Sequence, residues 1–435
     1  MNRREFLARG AAGLAAINTL ASRAGQVRAE PATAKPVRIG VIGLGNRGTG
    51  LLRILLGEPG VAVTAVCDMN AENVRRAAKL ITERGGPAPA EHAKGPDDYK
   101  NLLQRDDVDA VLIAAPTKWH CPMAVAAMKA GKHVGSEVPA GFELDELWEL
   151  VKTKEQTGRR YMLLENYAYN RRNMMILEMA RQRAFGDPYY AECSYIHDCR
   201  FMLFKQDGSL DWWGEWAAKH FGSDYPTHAL GPTSKWLGIN EGDRLEYCSA
   251  MMSAPRVLKE YARKRFGPDS PQGRIDWALG EFISVLIHTA GGKLIRVDYD
   301  VNSPRPVSHY YLVQGTKGVY DSRAGVYFEE AQDEKWRPAD EYREKYDHPY
   351  WRRLGEKAEK TGHGGGDFFA IHDFVHMVRS DREPWIDVYD AATWSVIFHC
   401  SRESIRRKGN SVEIPDFTGG RWKTADWRKD SSRPA

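Results

Sequence analysis

The residues with the clearest chemical potential lie in a short glycine-rich stretch at residues 37–48, VRIGVIGLGNRG. Three glycines follow a run of β-branched residues with the spacing G-x-G-x-x-G. Between a strand and a helix, the first glycine of this pattern permits a tight turn. The second admits a pyrophosphate close to the backbone, and the third lets the helix pack on the strand. Since the free N–H groups of such a helix bind phosphates, the stretch predicts a dinucleotide site. Its predicted contacts in this turn are Gly43, Gly45, Asn46, Arg47 and Gly48.

An acidic residue follows at the distance that a dinucleotide fold requires. The composition of residues 61–66, VAVTAV, predicts a second strand, which leads to Asp68, twenty residues beyond Gly48. A carboxylate at this position accepts hydrogen bonds from the ribose hydroxyls and repels a 2′-phosphate. We therefore predict NAD as the cofactor. The alternative is an ordinary strand–helix–strand unit whose glycine turn is unrelated to a surface aspartate.

Strands and helices continue to alternate to about residue 160, and they position further polar residues. Strands are predicted at residues 109–115, 132–136 and 161–164, with helices between them. In an open parallel sheet, ligands bind beyond the carboxyl ends of the strands. The residues that follow these strands are therefore placed on the cofactor side, namely Thr117, Trp119, His120, Glu137 and Asn166.

The pattern of the sequence changes after Tyr169. Long alternating segments with one polar face predict antiparallel strands, and two helices are predicted near the end, at residues 367–379 and 390–407. The fold class is therefore α/β, a doubly wound parallel Rossmann sheet followed by an α+β domain with a large, mostly antiparallel sheet. The exposed face of that second sheet makes a homo-oligomer the expected assembly. The predicted divisions are a Rossmann domain at 36–165, a substrate-binding domain at 166–420 and a polar tail at 421–435.

The first residues have the features of an export signal. The pair Arg3-Arg4 precedes a weakly apolar stretch at residues 8–21, with the small residues Val27 and Ala29 after it. This order is typical of a twin-arginine signal, and the stretch is too short to span a bilayer. We expect a signal peptide at 1–30 and a periplasmic or secreted protein; the alternative is a disordered basic tail. An exported enzyme would have to retain its NAD, because little free cofactor is present outside the cell.

Composition argues against several classes of partner. The 435 residues carry a formal net charge of +4 and no long basic run, so we expect neither nucleic-acid binding nor, after signal cleavage, membrane binding. The six cysteines form no C-x-x-C pair and no zinc spacing, and buried thiols are the expected state. His372 and His376 lie one helical turn apart and could ligate a metal. The phenylalanines around them favour packing instead, so we predict no metal site.

Several segments then carry a resemblance to known proteins. A Rossmann domain, an E-x-P motif and an antiparallel α/β domain, in this order, resemble the Gfo/Idh/MocA oxidoreductase family. Within it, the chain is similar to the glycoside hydrolase 109 branch, NAD-dependent glycosidases typified by α-N-acetylgalactosaminidase. The resemblance runs from the glycine turn to about residue 415. Its segments are AVAAMKAGKHVGSEVPA, KEQTGRRYMLLENYAYNRR, the HDCR segment, DYPTHALGP, VQGTKG, HGGGDFF and VYDAATWS.

The E-x-P motif separates this chain from simple sugar dehydrogenases. Those members usually carry E-K-P, in which the lysine relays the proton of the substrate hydroxyl. Here the motif reads Glu137-Val138-Pro139, and a valine cannot titrate. The glycosidase branch likewise lacks the lysine, so Val138 speaks against an ordinary dehydrogenase. The resemblance adds Val138 and Tyr225 to the predicted cofactor contacts.

The resemblance also implies a reaction. NAD oxidises the sugar at C3, the C2 proton becomes acidic, the C1 leaving group is expelled, water adds, and C3 is reduced again. Such glycosidases are exceptions to the paired-carboxylate mechanism. His228 is the first choice for general base or acid, because an imidazole with an ordinary pKa of about 6.5 suits both roles. The complete set of candidate catalytic residues is His228, Tyr225, Tyr169 and Glu137.

The substrate side is predicted from the same segments. Each of its residues also has a structural interpretation: the tyrosines as core aromatics, His228 as a structural histidine, and the alternating residues after 196 as a surface ladder. Trp212, Trp213 and Trp216 suit either sugar stacking or core packing. The predicted substrate contacts are Tyr195, His197, Asp198, Arg200, Trp213, Tyr225, Pro226, Thr227 and His228.

Three departures from the branch fall on sugar-side positions. The branch has a W-x-W-H loop where this chain has Thr117-Lys118-Trp119-His120, an arginine near Ala217, and a tyrosine at Val307. N-acetylgalactosamine and another glycoside are therefore both compatible with the sequence. Two other functions stay open: a periplasmic NAD-dependent sugar dehydrogenase or oxidoreductase, and a non-catalytic sugar-binding protein that keeps NAD as a structural ligand.

Overall fold

The computed structural model describes residues 35–424 and 427–428. The predicted twin-arginine signal at residues 1–30 lies outside this part of the chain. From Val37 onward, the described residues form one compact unit built on two sheets. Among the described residues, no helix is both long and apolar enough to cross a bilayer. The α/β fold class predicted from the sequence is confirmed.

The first sheet is the predicted Rossmann sheet. Its six strands are all parallel and lie in the order β3-β2-β1-β4-β5-β6. The strands are β1 (Val37–Ile42), β2 (Val61–Cys67), β3 (Ala90–His92), β4 (Ala110–Ile113), β5 (His133–Ser136) and β6 (Tyr161–Leu163). The helices of this domain are α1 (Asn46–Leu55), α2 (Ala71–Glu83), α3 (Tyr99–Leu103), α4 (His120–Lys129) and α5 (Leu144–Thr157).

The second sheet has eight strands in the order β13-β12-β11-β7-β10-β9-β8-β14. All neighbours are antiparallel except β7 and β10, which pair in parallel. The strands are β7 (Pro188–Ile196), β8 (Leu245–Met252), β9 (Ile283–Thr289), β10 (Leu294–Asp300), β11 (Tyr311–Gly315), β12 (Gly318–Asp321), β13 (Gly325–Phe328) and β14 (Val412–Glu413).

Helices of the second domain cover one face of this sheet and reach the Rossmann domain. The helix predicted at residues 390–407 is two helices that meet at Val396. The helices are α6 (Arg171–Arg181), α7 (Trp212–Ala217), α8 (Thr227–Leu237), α9 (Val257–Phe266), α10 (Arg343–Tyr346), α11 (Pro349–Ala358), α12 (Gly366–Ser380), α13 (Val388–Ser395) and α14 (Ile397–Arg406).

Close contacts join the two domains. Helix α12 packs on α1 and on strand β5, where the ring of Phe374 lies so near Gly135 that an added Cβ would come within 2.7 Å of it. The hydroxyl of Ser395 accepts a hydrogen bond from the N–H of Ala140 at 2.9 Å. Glycine at position 135 thus allows the second domain to approach the sheet directly, which brings its residues to the carboxyl ends of the Rossmann strands.

Two residues of the predicted polar tail are packed rather than solvated. The indole N–H of Trp427 donates to the carbonyl of Asn240 at 2.7 Å. The guanidinium of Arg428 is buried and pairs with Asp390 at 2.9 Å. A buried arginine requires a countercharge, and Asp390, which also pairs with Lys235, supplies it. These two residues of the predicted polar tail therefore contribute contacts to the second domain. All six cysteines are buried and free of disulfides.

The glycine turn yields a test of the fold. A Cβ at Gly48 would lie 1.9 Å from the carbonyl oxygen of Gly43, whereas one at Gly50, on the same helix, would meet nothing within 4 Å. We expect Gly48→Ala to lower the free energy of unfolding by about 3 kcal/mol through overpacking. Gly50→Ala should raise it by about 0.5–1 kcal/mol, because alanine favours helix. Urea unfolding of both variants measures the difference, and equal stabilities would contradict this packing.

Candidate functional site

A cavity of about 790 Å³ lies at the carboxyl ends of the Rossmann strands. Residues of both domains line it, from the glycine turn at one side to the aromatic residues of the second sheet at the other. Many of the residues predicted from the sequence come together here. They are Gly43, Gly45, Asn46, Arg47, Asp68, Thr117, Trp119, His120, Glu137, Val138, Asn166, Tyr195, His197, Trp213, Tyr225 and His228.

The glycine turn has the shape that a dinucleotide needs. Gly43 has a φ of +89°, and a Cβ there would lie 2.5 Å from the carbonyl oxygen of Ala114. Gly45 faces open space, so its backbone is accessible to a ligand. The carboxylate of Asp68 accepts the N–H of Leu44 at 2.6 Å and is fixed beside the turn. Each of its oxygens keeps lone pairs for ribose hydroxyls. These residues fit NAD.

Some predicted residues do not line the cavity. Gly48 serves the packing of α1 on the turn. Tyr169 is fully buried and its hydroxyl donates to Asp373 at 2.7 Å, so it is not placed to act on a ligand. The role predicted for Tyr169 is therefore corrected to a structural one.

Four predicted substrate contacts also lie behind the cavity wall. Arg200 donates to the carboxylate of Asp198 at 2.9 and 2.7 Å, and its guanidinium lies over the ring of Tyr261. This local ion pair agrees with the structural interpretation of the segment. Pro226 and Thr227 form the start of α8, which makes them the support of His228 rather than lining residues.

Arg47 occupies a different role from a simple phosphate contact. Its Nε donates to Glu137 at 2.8 Å, and its two terminal nitrogens donate to Asp367 at 2.9 and 2.8 Å. Burial alone would lower the pKa of Arg47, but the charge of Glu137 and the bonds to Asp367 raise it well above its ordinary value. Burial acts to raise the pKa of Asp367, yet its bonds to His363 and Arg47 hold it far below the usual range.

A buried carboxylate orients the predicted catalytic histidine. His228 lies in the first turn of α8, and its Nδ1 is 2.8 and 2.9 Å from the two carboxylate oxygens of Glu165. Glu165 is 0% exposed and also accepts the N–H of Tyr167 at 3.0 Å. A carboxylate cannot donate, so Nδ1 carries the proton and Nε2 is the nitrogen left for a ligand. The sequence reasoning named His228 but not its partner Glu165.

A second histidine–carboxylate pair faces the same cavity. The Nδ1 of His363 donates to Asp367 at 2.8 Å, and Asp367 also accepts the side-chain amide of Asn166 at 2.7 Å. The rings of His228 and His363 are 6.4 Å apart, centroid to centroid. Sequence reasoning assigned neither His363 nor Asp367 a role. The signal was present, since both belong to the HGGGDFF segment.

Aromatic rings surround His228 on the substrate side. The ring of Tyr167 lies 4.4 Å from it, that of Tyr225 4.9 Å and that of Tyr195 5.2 Å, centroid to centroid. Burial raises the pKa of Tyr225 and Tyr195 well above the ordinary value, so both remain protonated at neutral pH. Tyr225 is therefore suited to donate a hydrogen bond and unsuited to act as a base.

The remaining aromatic and variable positions divide between cavity and core. Trp212 and Trp213 line the cavity, whereas Trp216 stacks on Phe142 in the core at 4.1 Å. Val307 also lines the cavity and is 56% exposed, while Ala217 is buried away from it. The departure at Val307 thus affects the shape of the cavity directly.

Two further histidines are structural. The ring nitrogens of His120 lie 2.7 Å from the carbonyls of Pro139 and Ala115, and burial lowers the pKa of this histidine. His372 bonds Glu58 at 2.9 Å, outside the cavity. In the part of the chain that the structure describes, no three histidine, cysteine, aspartate or glutamate side chains are arranged to hold a metal ion.

Comparison with known proteins gives two family matches that together cover nearly all of the described chain. Residues 37–165 match the oxidoreductase family with an NAD-binding Rossmann fold. Residues 169–424 match the C-terminal domain of glycosyl hydrolase 109. The first match agrees with the NAD cofactor predicted from Gly43 to Asp68, and the resemblance noted from the sequence is confirmed.

Named relatives cover most of the chain. A glycosyl hydrolase family 109 protein of Saccharopolyspora erythraea is 42% identical over 402 residues, which are 92% of this chain and 87% of the relative. One from Shewanella pealeana is 37% identical over 98% of both chains. Among solved structures, levoglucosan dehydrogenase in complex with NADH and L-sorbose has a TM-score of 0.67 at 19% identity. It covers 88% of this chain and is itself covered completely.

A further solved structure has the same fold. The scyllo-inositol dehydrogenase of Lactobacillus casei, solved with NAD(H) and scyllo-inositol, has a TM-score of 0.63 at 15% identity. The alignment covers 87% of this chain and 99% of that one. At these identities the two solved structures establish the likeness of the fold alone.

Arg47 supplies a test of the site. Replacing it by methionine removes the guanidinium that pairs with both Glu137 and Asp367, whose side chains are only 8% and 5% exposed. We expect Arg47→Met to cost about 3 kcal/mol of unfolding free energy and to weaken NAD binding, because the turn is no longer tied to α12. The exposed Arg53 on the same helix is the matched control. Urea unfolding and NAD titration followed by tryptophan fluorescence measure both effects. Identical behaviour of Arg47→Met and Arg53→Met would contradict the assignment.

Proposed function

The chain belongs to glycosyl hydrolase family 109, and on that premise we propose that it hydrolyses a glycoside with a retained NAD as an internal redox cofactor. The observation that carries the proposal is the pair of histidines, His228 and His363, which face the cavity of the glycine turn and are each bonded to a carboxylate. Val138, buried in the wall of this cavity, supports it, because no lysine is present there to relay a hydroxyl proton.

The cofactor and the protein have separate tasks in this reaction. When bound, NAD supplies a reversible two-electron oxidation at C3 of the sugar. The turn at Gly45 would hold the pyrophosphate and the carboxylate of Asp68 would hold the ribose. A ketone at C3 makes the C2 proton acidic, so a base of modest strength can remove it. The residues of the second domain then have only protons to move.

His228 is the proposed base. Glu165 holds its Nδ1–H, so the lone pair of Nε2 is the basic site that remains. When Nε2 takes the C2 proton, the positive charge forms directly beside a buried carboxylate, which stabilises it. The same nitrogen returns the proton when water adds to the unsaturated intermediate.

His363 is the proposed acid for the leaving group. It is the more exposed of the two, with a side chain that is 40% exposed against 6% for His228. This exposure suits contact with an aglycone and, afterwards, with the incoming water. Asp367 fixes its Nδ1 at 2.8 Å, so its Nε2 is the proton-transfer atom. Tyr225, which stays protonated, donates to the sugar instead of accepting its proton.

The identity of the sugar is to be determined by testing a panel of glycosides. Val307 in the cavity wall replaces the tyrosine that the family resemblance implies, and an aliphatic side chain offers the sugar no hydrogen bond there. We therefore propose a glycoside as substrate class and treat N-acetylgalactosamine as one candidate. The anomer is likewise a result for the panel.

Location and assembly complete the proposal. The Arg3-Arg4 motif, which lies outside the described residues, supports export by the twin-arginine route, and a retained NAD would suit that compartment. For the assembly we propose a homo-oligomer. On the open face of the second sheet, Tyr247, Met251 and Leu286 are 36%, 72% and 47% exposed, a set of apolar side chains that a second copy would cover.

The proposed function is tested by cleavage in D₂O. The purified protein, without added NAD, is incubated with 4-nitrophenyl α- and β-glycosides and with the matching methyl glycosides. We expect release of the aglycone with deuterium at C2 of the sugar. NADH that accumulates without aglycone release would instead indicate a sugar dehydrogenase. Retained NAD and sugar affinity without turnover would indicate a binding protein.

Variants of the two histidines separate their roles. His228→Gln should lower both cleavage and C2 exchange by about 10²–10⁴-fold, the usual contribution of a general base. His363→Gln should lower cleavage of methyl glycosides far more than cleavage of nitrophenyl glycosides, because a nitrophenolate leaves without an acid. It should also lower cleavage of methyl glycosides far more than their C2 exchange, which precedes departure of the leaving group. His372→Gln, which lies outside the cavity, is the control. Full activity in His228→Gln would remove the assignment of the base.

A further inference from the structure

One further histidine of the cavity, His309, has no part in the proposed proton transfers. His309 precedes β11 and lines the cavity. Its Nδ1 accepts the backbone N–H of Ile196 at 3.0 Å. A nitrogen that accepts carries no proton, so the ring hydrogen is on Nε2. This differs from His228 and His363, whose Nδ1 atoms donate to carboxylates. His309 is therefore held as the opposite tautomer, with an N–H rather than a lone pair at its far end.

The surroundings of His309 fix its ring and keep it neutral. The ring stacks on Tyr195 at 4.7 Å with an interplanar angle of 12°, and the nearly perpendicular ring of Tyr167 lies 5.3 Å away, centroid to centroid. Burial, together with the neighbouring His228, His197 and His363, lowers the pKa of His309 to about 3. It is consequently a hydrogen-bond donor at any working pH and does not exchange protons itself.

His309 and His228 share the same two aromatic neighbours. The rings of Tyr167 and Tyr195 lie 4.4 and 5.2 Å from His228, and the same rings flank His309. The ring of His309 thus lies in the same part of the cavity as the proposed base. When a base removes a proton beside a carbonyl, negative charge collects on the carbonyl oxygen, and a fixed neutral donor stabilises that charge.

We propose that His309 is a further catalytic residue whose Nε2–H donates to the C3 oxygen of the oxidised sugar and stabilises the enolate. This inference rests on the proposed function. In the step, the C2 proton moves to Nε2 of His228, the C2–H electron pair forms the C2–C3 double bond, and the carbonyl π pair becomes the oxyanion that His309 holds. The carbonyl then re-forms, the double bond shifts to C1–C2, and the C1 leaving group departs with its bonding pair and takes a proton.

A matched pair of variants separates the two nitrogens of His309. In His309→Asn, the short amide places an oxygen near the position of Nδ1, so Ile196 keeps its acceptor while the distal donor is lost. In His309→Gln, the longer amide places an N–H near Nε2, so the donor is kept while the acceptor is lost. Thermal melts establish that both variants fold, and the preferred glycoside from the D₂O panel is the substrate.

We expect His309→Asn to lower kcat about 100-fold with KM changed less than about threefold, the behaviour of a lost oxyanion donor. When the free sugar product is itself incubated in D₂O, its C2 deuterium exchange should fall by the same factor. This exchange needs no leaving-group acid, so it separates His309 from such an acid. His309→Gln should recover at least about tenfold of the loss. Wild-type rates in His309→Asn, or a loss in His309→Gln as large as that in His309→Asn, would overturn the donor role.

The experiment also distinguishes this inference from the function on which it rests. If the wild-type protein forms NADH from sugars without cleaving any glycoside, the proposed function fails. Such a reaction stops at the ketone and forms no enolate, so C2 exchange is absent and the enolate role of His309 falls with it. If the wild type cleaves and exchanges while both variants retain its rates, only the role of His309 fails.

Discussion

The ion pair between Arg47 and Asp367 is the interaction on which the geometry of the site depends. Arg47 follows the glycine turn at the start of α1, and Asp367 belongs to α12 of the second domain. The same carboxylate fixes the ring of His363 and the amide of Asn166. One buried charge therefore connects the cofactor turn with a histidine that lines the cavity. A buried carboxylate needs several donors to remain ionised, and here each donor is a residue of the site.

The division between the domains follows from this arrangement. The Rossmann domain supplies the glycine turn and Asp68, which are local features of one strand–turn–helix unit. The second domain supplies the histidines, and Glu165 at the end of the last Rossmann strand orients His228. With Val138 in the position of a lysine, the proposed reaction assigns proton transfer to imidazoles of the second domain. The glycine turn of the cofactor site and the two carboxylate-bonded histidines thus come from different parts of the fold and meet in one cavity.

The difference between local motifs and residues brought together by the fold explains how much the sequence could predict. Gly43, Gly45 and Asp68 were found because their function depends on spacing within a few tens of residues, and His228 was found through a contiguous motif. Tyr169 was misplaced because it shares a 3₁₀ turn with Tyr167: only Tyr167 faces the cavity, while Tyr169 faces the core. Alternation and composition do not specify the direction of such a turn.

Contacts between distant segments could not be predicted from the sequence, for a different reason. Asp367 lies 320 residues from Arg47, and the packing of α12 on Gly135 brings them together. Likewise, the polar character of residues 421–435 gave no indication that Arg428 is buried. Its charge is paired with Asp390 inside the second domain. A charged residue in a polar segment is normally solvated, and only the tertiary structure shows that Arg428 pairs with a buried acid.

Burial and pairing divide the polar groups of the cavity into two classes. Tyr195, Tyr225 and His309 lie against other rings without a bonded carboxylate, and burial keeps each of them neutral. His228 and His363 each have a carboxylate on Nδ1, so a proton gained at Nε2 creates an ion pair rather than an isolated buried charge. Under the proposed function, the neutral groups therefore orient a sugar and hold a developing oxyanion without taking its protons. In the proposed reaction the paired imidazoles are the sites where protons move, and this separation of tasks suits an elimination followed by water addition.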